Sequence, residues 1–514
     1  MGGFPVMTLE TLSAPGPRQA GHETAGIRLQ SPVWLLGLLA VWLLATLGLR
    51  PLLQPDEGRY ASVAREMLLG DALVPTLNGL PFFHKPPLFY WLDMAAMQLL
   101  GVNAFAARIG AMLGAWIMGA SLFFALRRWH GPRIAAIAVA VLATCPFFYV
   151  AAQYANHDML VAGLITAAIL ALAIAVEQPP RVHLGWLVAG SIACALAVLA
   201  KGLIGFVLPA LVLGPWLLAQ RRWRQMFKLL HPLGLLAFMV VAAPWFVLVQ
   251  MRFPAFFDYF FVEQHFRRFA QSSFNNVAPF WFFIVLLPAL MLPWSAWLPL
   301  ALKRAWAARD ARTGLYVWWV IAIVGFFSLP SSKIVGYVLP AAAPWCALLA
   351  LVIAHGRTRL WQSVLGGAAL VCVAIVLAIA WQAPKSNRAA ALALAAKIAP
   401  ADTVVMVDEY FYDLPFYARL KAPVVIASDW ADPELPLRDN WRKELFDATR
   451  FAPTLGRALL RPLNRLDDLL CGSAAVWFVV HPRQAQRVAG LPGITRVFAD
   501  ANTELWRAPA RTCP

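Results

Sequence analysis

Charge is scarce in this sequence. Asp, Glu, Lys and Arg make up 13% of its 514 residues, and the acidic kind is the rarer, 26 against 43 Lys plus Arg. A soluble domain carries about a quarter charged residues, so a protein that meets water on all sides is excluded. Cysteine is sparse too, at six residues, which excludes the disulfide framework of a small secreted protein. There is no glycine-rich phosphate loop, no zinc-finger spacing and no internal repeat. No small-residue cleavage site follows apolar residues 33 to 49, so that run reads as a signal anchor.

What is present is apolar: 61% of the residues are hydrophobic and mean hydropathy is +0.65. The excess falls in runs of about 17–25 residues, the length that crosses a ~30 Å hydrocarbon core as a helix. About eleven spans (eleven to thirteen) are expected, over 32–50, 105–126, 134–150, 158–176, 184–200, 204–219, 232–250, 280–301, 314–329, 337–354 and 361–381. The loops alternate in character. Arg127, Arg128 and Arg133, then Arg181, then Arg221, Arg222, Arg224 and Lys228, then Lys303, Arg304, Arg309 and Arg312, then Arg357 and Arg359 fall on one side, opposed only by Glu177 and Asp310. The positive-inside rule makes that side cytoplasmic, with residues 1–30 as a cytoplasmic tail. The net charge of +17 is then a matter of loops and anionic lipid rather than of nucleic acid. Residues 31–383 form the membrane domain, with a long external first loop, 51–104. Within that loop "PPLFYWLDMAAMQLLGV" (86–102) is nearly span-length but carries Asp93; it reads as an interfacial helix, since a crossing there would turn the basic loops outward.

Beyond residue 384 the long runs stop. "TVVMVDEY" (403–410), "APVVIASD" (422–429), "AAVWFVVHP" (474–482) and "ITRVFAD" (494–500) are strand-like. Residues 384–514 are expected to be an external α/β domain. Cys471 and Cys513 lie in it and suit a disulfide in an oxidising compartment, whose loop of about 40 residues would stabilise by roughly 3–4 kcal/mol in the chain-entropy account.

The external loops hold the chemistry. The first has Asp56, Glu57, Arg59, Arg65 and Glu66, then His84 and Lys85; "NHD" has Asn156, His157 and Asp158; "AKG" has Lys201; "FVEQHFRRF" has Glu263, His265, Arg267 and Arg268; "SSK" supplies Lys333, with Tyr337 close behind. Mixed acids and bases gathered at one membrane edge are costly unless paired or used. The cations suit a lipid phosphate, and the carboxylates suit catalysis or sugar hydroxyls. Each residue also has a plainer reading. Asp56 after Pro55, and Asp158 at the head of a span, are placed to cap helices. Glu57, Arg65 and Glu66 suit solvated or mutually paired roles. Lys85 suits snorkelling, the two histidines suit structural hydrogen bonding, and the aromatics of "FFDYFF" suit an interfacial belt.

"PDEGRYASVAREM", "FFHKPPLFYWL", "NHDML", "AKG", "YFFVEQHFRRF" and "SSKIVGYVLP", in that order, resemble the bacterial aminoarabinose transferases of the protein O-mannosyltransferase-like superfamily. The resemblance covers about residues 33 to 350. It implies a GT-C type polytopic fold, a sugar donor on undecaprenyl phosphate, and lipid A or a related envelope glycolipid as acceptor, reacting at the periplasmic face of the inner membrane. It further implies catalytic roles for Asp56 and Asp158, donor-phosphate contacts from Lys85 and Arg268, and a metal site, zinc for instance, at His84 and His265. Glu57, Arg59, Lys201, Arg267, Lys333 and Tyr337 complete the expected substrate-binding set. His84 is a departure, since the family usually has Glu before Lys-Pro-Pro; two imidazoles can still hold zinc. The runner-up is a protein or glycan O-glycosyltransferase of the same superfamily. A lipid-carrier transporter would place its charges at mid-membrane and show repeated halves, and an envelope scaffold would not need acids clustered with phosphate-type cations.

Overall fold

The computed structural model describes residues 31–264 in full, the backbone of 265–267, and residues 276–382 and 386–511. In hydrocarbon a backbone must satisfy its own hydrogen bonds, and the apolar runs are helical. Among the described residues seven helices are long and apolar enough to cross: Ala106–His130, His157–Ala175, Leu184–Lys201, Pro232–Arg252, Ala311–Ser328, Val335–Ile353 and Thr358–Gln382. Two bent pairs raise this to nine: Pro132–Ala143 with Pro146–Ala152, and Phe282–Leu290 with Trp294–Ala308, bent by 68° and 107°. Pro146 and Pro293 stand at the two breaks, where a missing N–H interrupts the ladder. Pro32–Leu44 and Ile204–Ala219 are apolar but have only 13 and 16 residues. Each of the eleven expected runs is therefore helical, yet by length and composition seven to nine qualify as crossings.

The His157–Ala175 helix is the axis of the bundle, with nearly every side chain buried. Its closest neighbour approaches through two glycines. A Cβ on Gly163 would lie 2.0 Å from the Gly114 carbonyl oxygen, and one on Gly114 would lie 2.4 Å from Leu160 Cα. Small residues at facing positions let membrane helices pack this closely. The 86–102 segment forms a 13-residue helix, Leu88–Leu100. It buries Phe89, Tyr90, Asp93, Ala96 and Met97 on one face, and the Gly110 amide donates to Asp93 at 2.8 Å.

The bundle has two chemically distinct ends. At one, Glu177 accepts from Arg128 at 2.9 Å and from Arg312 at 2.6 Å, Arg222 donates to the Val176 carbonyl, and Lys228 donates to the Pro180 carbonyl at 2.5 Å. Four of the basic loops thus converge, as their shared sidedness requires. At the other end lies the first loop. It holds the helix Asp56–Leu69 and a small hairpin of β1 (Thr76–Leu77) and β2 (Leu80–Pro81).

The C-terminal α/β unit rests on that loop. Its strands β3 (Thr403–Val407), β4 (Val425–Ser428), β5 (Leu460–Pro462), β6 (Val476–Val480), β7 (Thr495–Ala499) and β8 (Glu504–Ala508) form one sheet in the order β5-β4-β3-β6-β8-β7. The first four are parallel and β8 runs against both its neighbours. The docking contacts are polar and buried. Asp413 accepts from Gln54 at 2.9 Å and from the Asn387 amide at 2.8 Å, and burial raises its carboxyl to about 6. Asn78 exchanges two hydrogen bonds with the Val424 backbone, at 2.9 and 2.8 Å. Arg65 donates to the Leu420 carbonyl, and Glu66 accepts the amides of Asn78 and Gly79 at 2.8 and 2.9 Å. Arg65 and Glu66, expected to be solvated or mutually paired, are instead taken up by this docking in the case of Arg65 and by the hairpin of the first loop itself in the case of Glu66.

Cys145, Cys194, Cys346 and Cys372 are free and buried, whereas Cys471 is disulfide-bonded. Its expected partner, Cys513, lies outside the described residues; Gly472 donates to the Arg511 carbonyl at 2.9 Å, which brings Arg511 alongside. Denatured without reductant, the protein is expected to alkylate at four cysteines, and at six after reduction. Six alkylated cysteines without reductant would overturn the bond.

Candidate active site

At the loop-bearing end, a cavity of about 260 Å³ is lined by Asp56, Arg59, His84, Lys85, Asn156, Asp158, Lys201, Tyr337 and Glu444, among others. Asp56 is the first residue of its helix, and its side chain accepts from the Arg59 and Asn156 side chains rather than from a backbone amide. Asp158 does not cap either: Asn156 does so, accepting the Asp158 amide at 3.0 Å. The plainer reading of both carboxylates is therefore replaced by a neighbour or left vacant. Asp56 gives one oxygen to Arg59, while its other oxygen has the Asn156 amide at 3.4 Å. Asp158 is ion-paired to Lys201, and the Lys201 ammonium lies 4.6 Å from the centre of the Tyr337 ring.

Gly336 sets the position of Asp158. A Cβ there would come within 2.2 Å of Asp158 Oδ2 and 2.8 Å of its Cγ, and the Lys201 pair bars an easy retreat. Gly336→Ala is expected to lower activity by about 10-fold or more, since small misplacements of a reacting group are costly, with membrane insertion retained. Turnover per mole of purified protein is the measurement, and a variant equal to the parent would show that Asp158 needs no fixed position.

Two expected site residues point elsewhere. Glu57, next to Asp56 in sequence, is wholly buried between Arg50 and Arg108. It also accepts the Ala155 amide at 2.9 Å. Burial favours its neutral form, but the Arg108 and Arg50 guanidiniums outweigh this and hold the carboxyl at about 2. Successive helical residues turn by about 100°, which aims Glu57 into the bundle while Asp56 faces the cavity. Lys333 is buried with its ammonium on the carbonyls of Pro330 and Ala278, at 2.6 and 2.9 Å. The expected roles of Arg267, Arg268 and His265 fall outside the described side chains. His84 stacks on Phe82 at 4.4 Å, and among the described residues no three His, Cys, Asp or Glu side chains gather as metal ligands. The described residues thus do not compose a metal site.

Glu444 and Tyr412 lie in no motif that sequence reasoning singles out. Glu444 projects from the helix Trp441–Ala448, ion-paired to Arg59, and Tyr412 donates to its other oxygen at 2.6 Å. They meet the first loop only through the tertiary fold.

The polar chamber adjoins a long apolar groove of about 940 Å³, and both are lined by Asp56, Asn156, Asp158 and Ile334. The groove runs on past Phe147, Val150, Leu290, Leu339, Val364 and Val371. A second apolar groove, of about 830 Å³, lies between the Leu184–Lys201, Ile204–Ala219 and Pro232–Arg252 helices.

A many-helix membrane bundle with its polar chamber at one end, under an α/β unit, is the GT-C architecture. It is shared with ArnT from Cupriavidus metallidurans bound to undecaprenyl phosphate, at TM-score 0.81 and 25% identity over 94% of this chain and 99% of that one. The archaeal oligosaccharyltransferase AglB from Archaeoglobus fulgidus has the same fold more distantly, at TM-score 0.50 and 14% identity over 88% of this chain and 70% of that one. The dolichyl-phosphate-mannose-protein mannosyltransferase family model matches residues 35–260. The undecaprenyl phosphate-alpha-4-amino-4-deoxy-L-arabinose arabinosyl transferase of Erwinia tasmaniensis is 37% identical over 62% of this chain and 57% of its own length. The protein of that name from Enterobacter sp. is 34% identical over 68% and 65%. The chain thus spans between about half and two thirds of these curated relatives. Over these parts of its length the chain is similar to the aminoarabinose transferases and to the dolichyl-phosphate-mannose-protein mannosyltransferase family.

Proposed function

We propose that this multi-pass membrane protein is a glycosyltransferase of the bacterial inner membrane, moving an amino sugar from undecaprenyl phosphate to a phosphate of lipid A or related lipopolysaccharide at the periplasmic face. The observation that carries this is the junction of the polar chamber with the 940 Å³ apolar groove at Asp56, Asn156 and Asp158. A sugar phosphate on a long prenyl tail needs both environments in contact, and the second groove offers room for the acyl chains of an acceptor.

In the proposed reaction an acceptor phosphate oxygen attacks the anomeric carbon. The bond from that carbon to the polyprenyl phosphate oxygen breaks, and the leaving group keeps the electron pair. Lys85, lining the chamber, stabilises the charge that develops there, with Arg268 as a second candidate from its motif. Lys201 is already paired with Asp158 and serves to hold that carboxylate. An acceptor phosphate is anionic at neutral pH and has no proton to lose. Asp56 therefore has no base to act as, and its cavity-facing oxygen is suited to the sugar's ammonium or to orienting the acceptor. A hydroxyl acceptor would make Asp56 the general base. Of the two expected ligands for a divalent metal such as zinc, His84 is the one whose side chain is described, and no step above depends on a metal.

Mass spectrometry of lipid A from cells with and without the protein tests the proposal. A sugar-sized increment that requires the protein is expected. Unchanged lipid A beside a newly glycosylated protein or glycan would instead favour the O-glycosyltransferase reading.

A further inference from the structure

We propose that Glu444, carried by the C-terminal α/β unit, is a positioning residue for Asp56 that acts through Arg59; the role rests on the transfer reaction proposed above. The Arg59 guanidinium is ion-paired to Asp56 on one side and to Glu444 on the other. Its central carbon lies 5.0 Å from the centre of the Tyr60 ring and 5.5 Å from that of Tyr412. Tyr412 also fixes Glu444, donating to it at 2.6 Å, so the aromatic slot and the carboxylate are tied together. Neither charge is a surface group: the side chains of Arg59 and Glu444 are 13% and 10% exposed. The helix that carries Glu444 is itself anchored, with Asn440 accepting the amides of Arg442 and Lys443 at 3.0 and 3.2 Å.

The consequence follows from the shape of guanidinium. It is a planar fork that can take both oxygens of one carboxylate. Asp56 stands three residues before Arg59 on the same helix, within reach of such a grip. Glu444 takes Nη1 and so fixes the plane of the guanidinium, which meets Asp56 through Nη2 alone while Nε makes no hydrogen bond among the described residues. Arg59 holds one Asp56 oxygen and leaves the second facing the cavity. Without the Glu444 charge the guanidinium is free to turn, bring Nε and Nη2 together onto both Asp56 oxygens and withdraw Asp56 from the substrate. The same pairing occupies Arg59's charge, so phosphate recognition falls to Lys85 rather than to the nearest arginine.

The test uses purified full-length protein in lipid nanodiscs, with an undecaprenyl-phosphate-linked amino sugar as donor and lipid A as acceptor, measuring kcat and donor KM on the monodisperse fraction. Glu444→Gln is expected to lower kcat by about 10-fold or more while donor KM stays within about twofold, the pattern of a misplaced reacting group. Tyr412→Phe, which keeps the ring and removes one hydrogen bond, should shift kcat the same way by less. Arg59→Ala combined with Glu444→Gln should be no worse than Arg59→Ala alone, because residues that act in series do not add. An unchanged kcat in Glu444→Gln, or losses that multiply in the double variant, would overturn the assignment. If Glu444→Gln fails to fold, Tyr412→Phe decides: parental kcat overturns the relay and reduced kcat at parental KM supports it. A parent with no turnover would overturn the functional reading, and this assignment with it; an active parent with indifferent variants overturns this assignment alone.

Discussion

Asp56→Asn is expected to insert and fold as the parent does and to lose transfer by about 10²-fold or more. The exchange keeps size and most hydrogen bonding and removes one charge. The helix takes no cap from the Asp56 side chain, whose oxygens go to Arg59 and Asn156. Arg59 keeps Glu444 as a buried partner, so no guanidinium is stranded. What is lost is the negative oxygen that faces the chamber. Modified lipid A in cells, with protein level measured alongside, is the readout. Parental modification by a well-expressed Asp56→Asn protein would remove Asp56 from the reaction.

One residue further on, the outcome reverses. Glu57→Ala is expected to lose the folded protein itself, at a cost of about 3–5 kcal/mol, the usual penalty when one partner leaves a buried ion cluster. Arg50 and Arg108 would be left facing each other, with side chains 3% and 0% exposed. The same cluster links stability to pH. Folding lowers the Glu57 pKa from 4.5 to about 2, so the folded state binds this proton less tightly than the unfolded one. The stabilisation is complete above 4.5 and is lost as pH falls toward 2. Detergent-solubilised protein should melt progressively earlier over that interval, and Glu57→Ala should be scarce in membranes. A Glu57→Ala protein that accumulates and melts with the parent would show the cluster to be dispensable.

The opposite fates of Asp56 and Glu57 show what the residues alone could reveal. Apolar runs of fixed length and the sign of the loop charges make the bundle and its two ends legible, because a bilayer imposes both. Asp56, Arg59, His84, Lys85, Asp158, Lys201 and Tyr337 could be gathered from motifs at helix ends on one face. Glu57 could not be told from Asp56, since its partners lie 7 and 51 residues away. The placement of Lys333 on backbone carbonyls was not legible, because carbonyls carry no side-chain signature. Prolines that bend a run and turns that shorten it leave seven to nine of the eleven runs long enough to cross by length and composition among the described residues. In the α/β unit the apolar strands β3, β4 and β6 announce themselves. β5 has three residues, mostly exposed, and β8, "ELWRA", mixes charge with apolar residues, so neither carries a pattern. Glu444 was out of reach for the simplest reason, a separation of 385 residues from Arg59.

That separation has a meaning for biogenesis. The first loop leaves the ribosome early, while Asp413, Leu420 and Val424, which receive its Gln54, Arg65 and Asn78, arrive near the end of synthesis. Contacts so distant along the chain form late and slowly. Until they do, Arg59 has no Glu444 and the chamber lacks a wall. A nascent or truncated chain already threaded through the membrane would therefore hold an unfinished site, silent toward the lipid-linked sugars around it, and competence would begin only when the last strand closes the sheet.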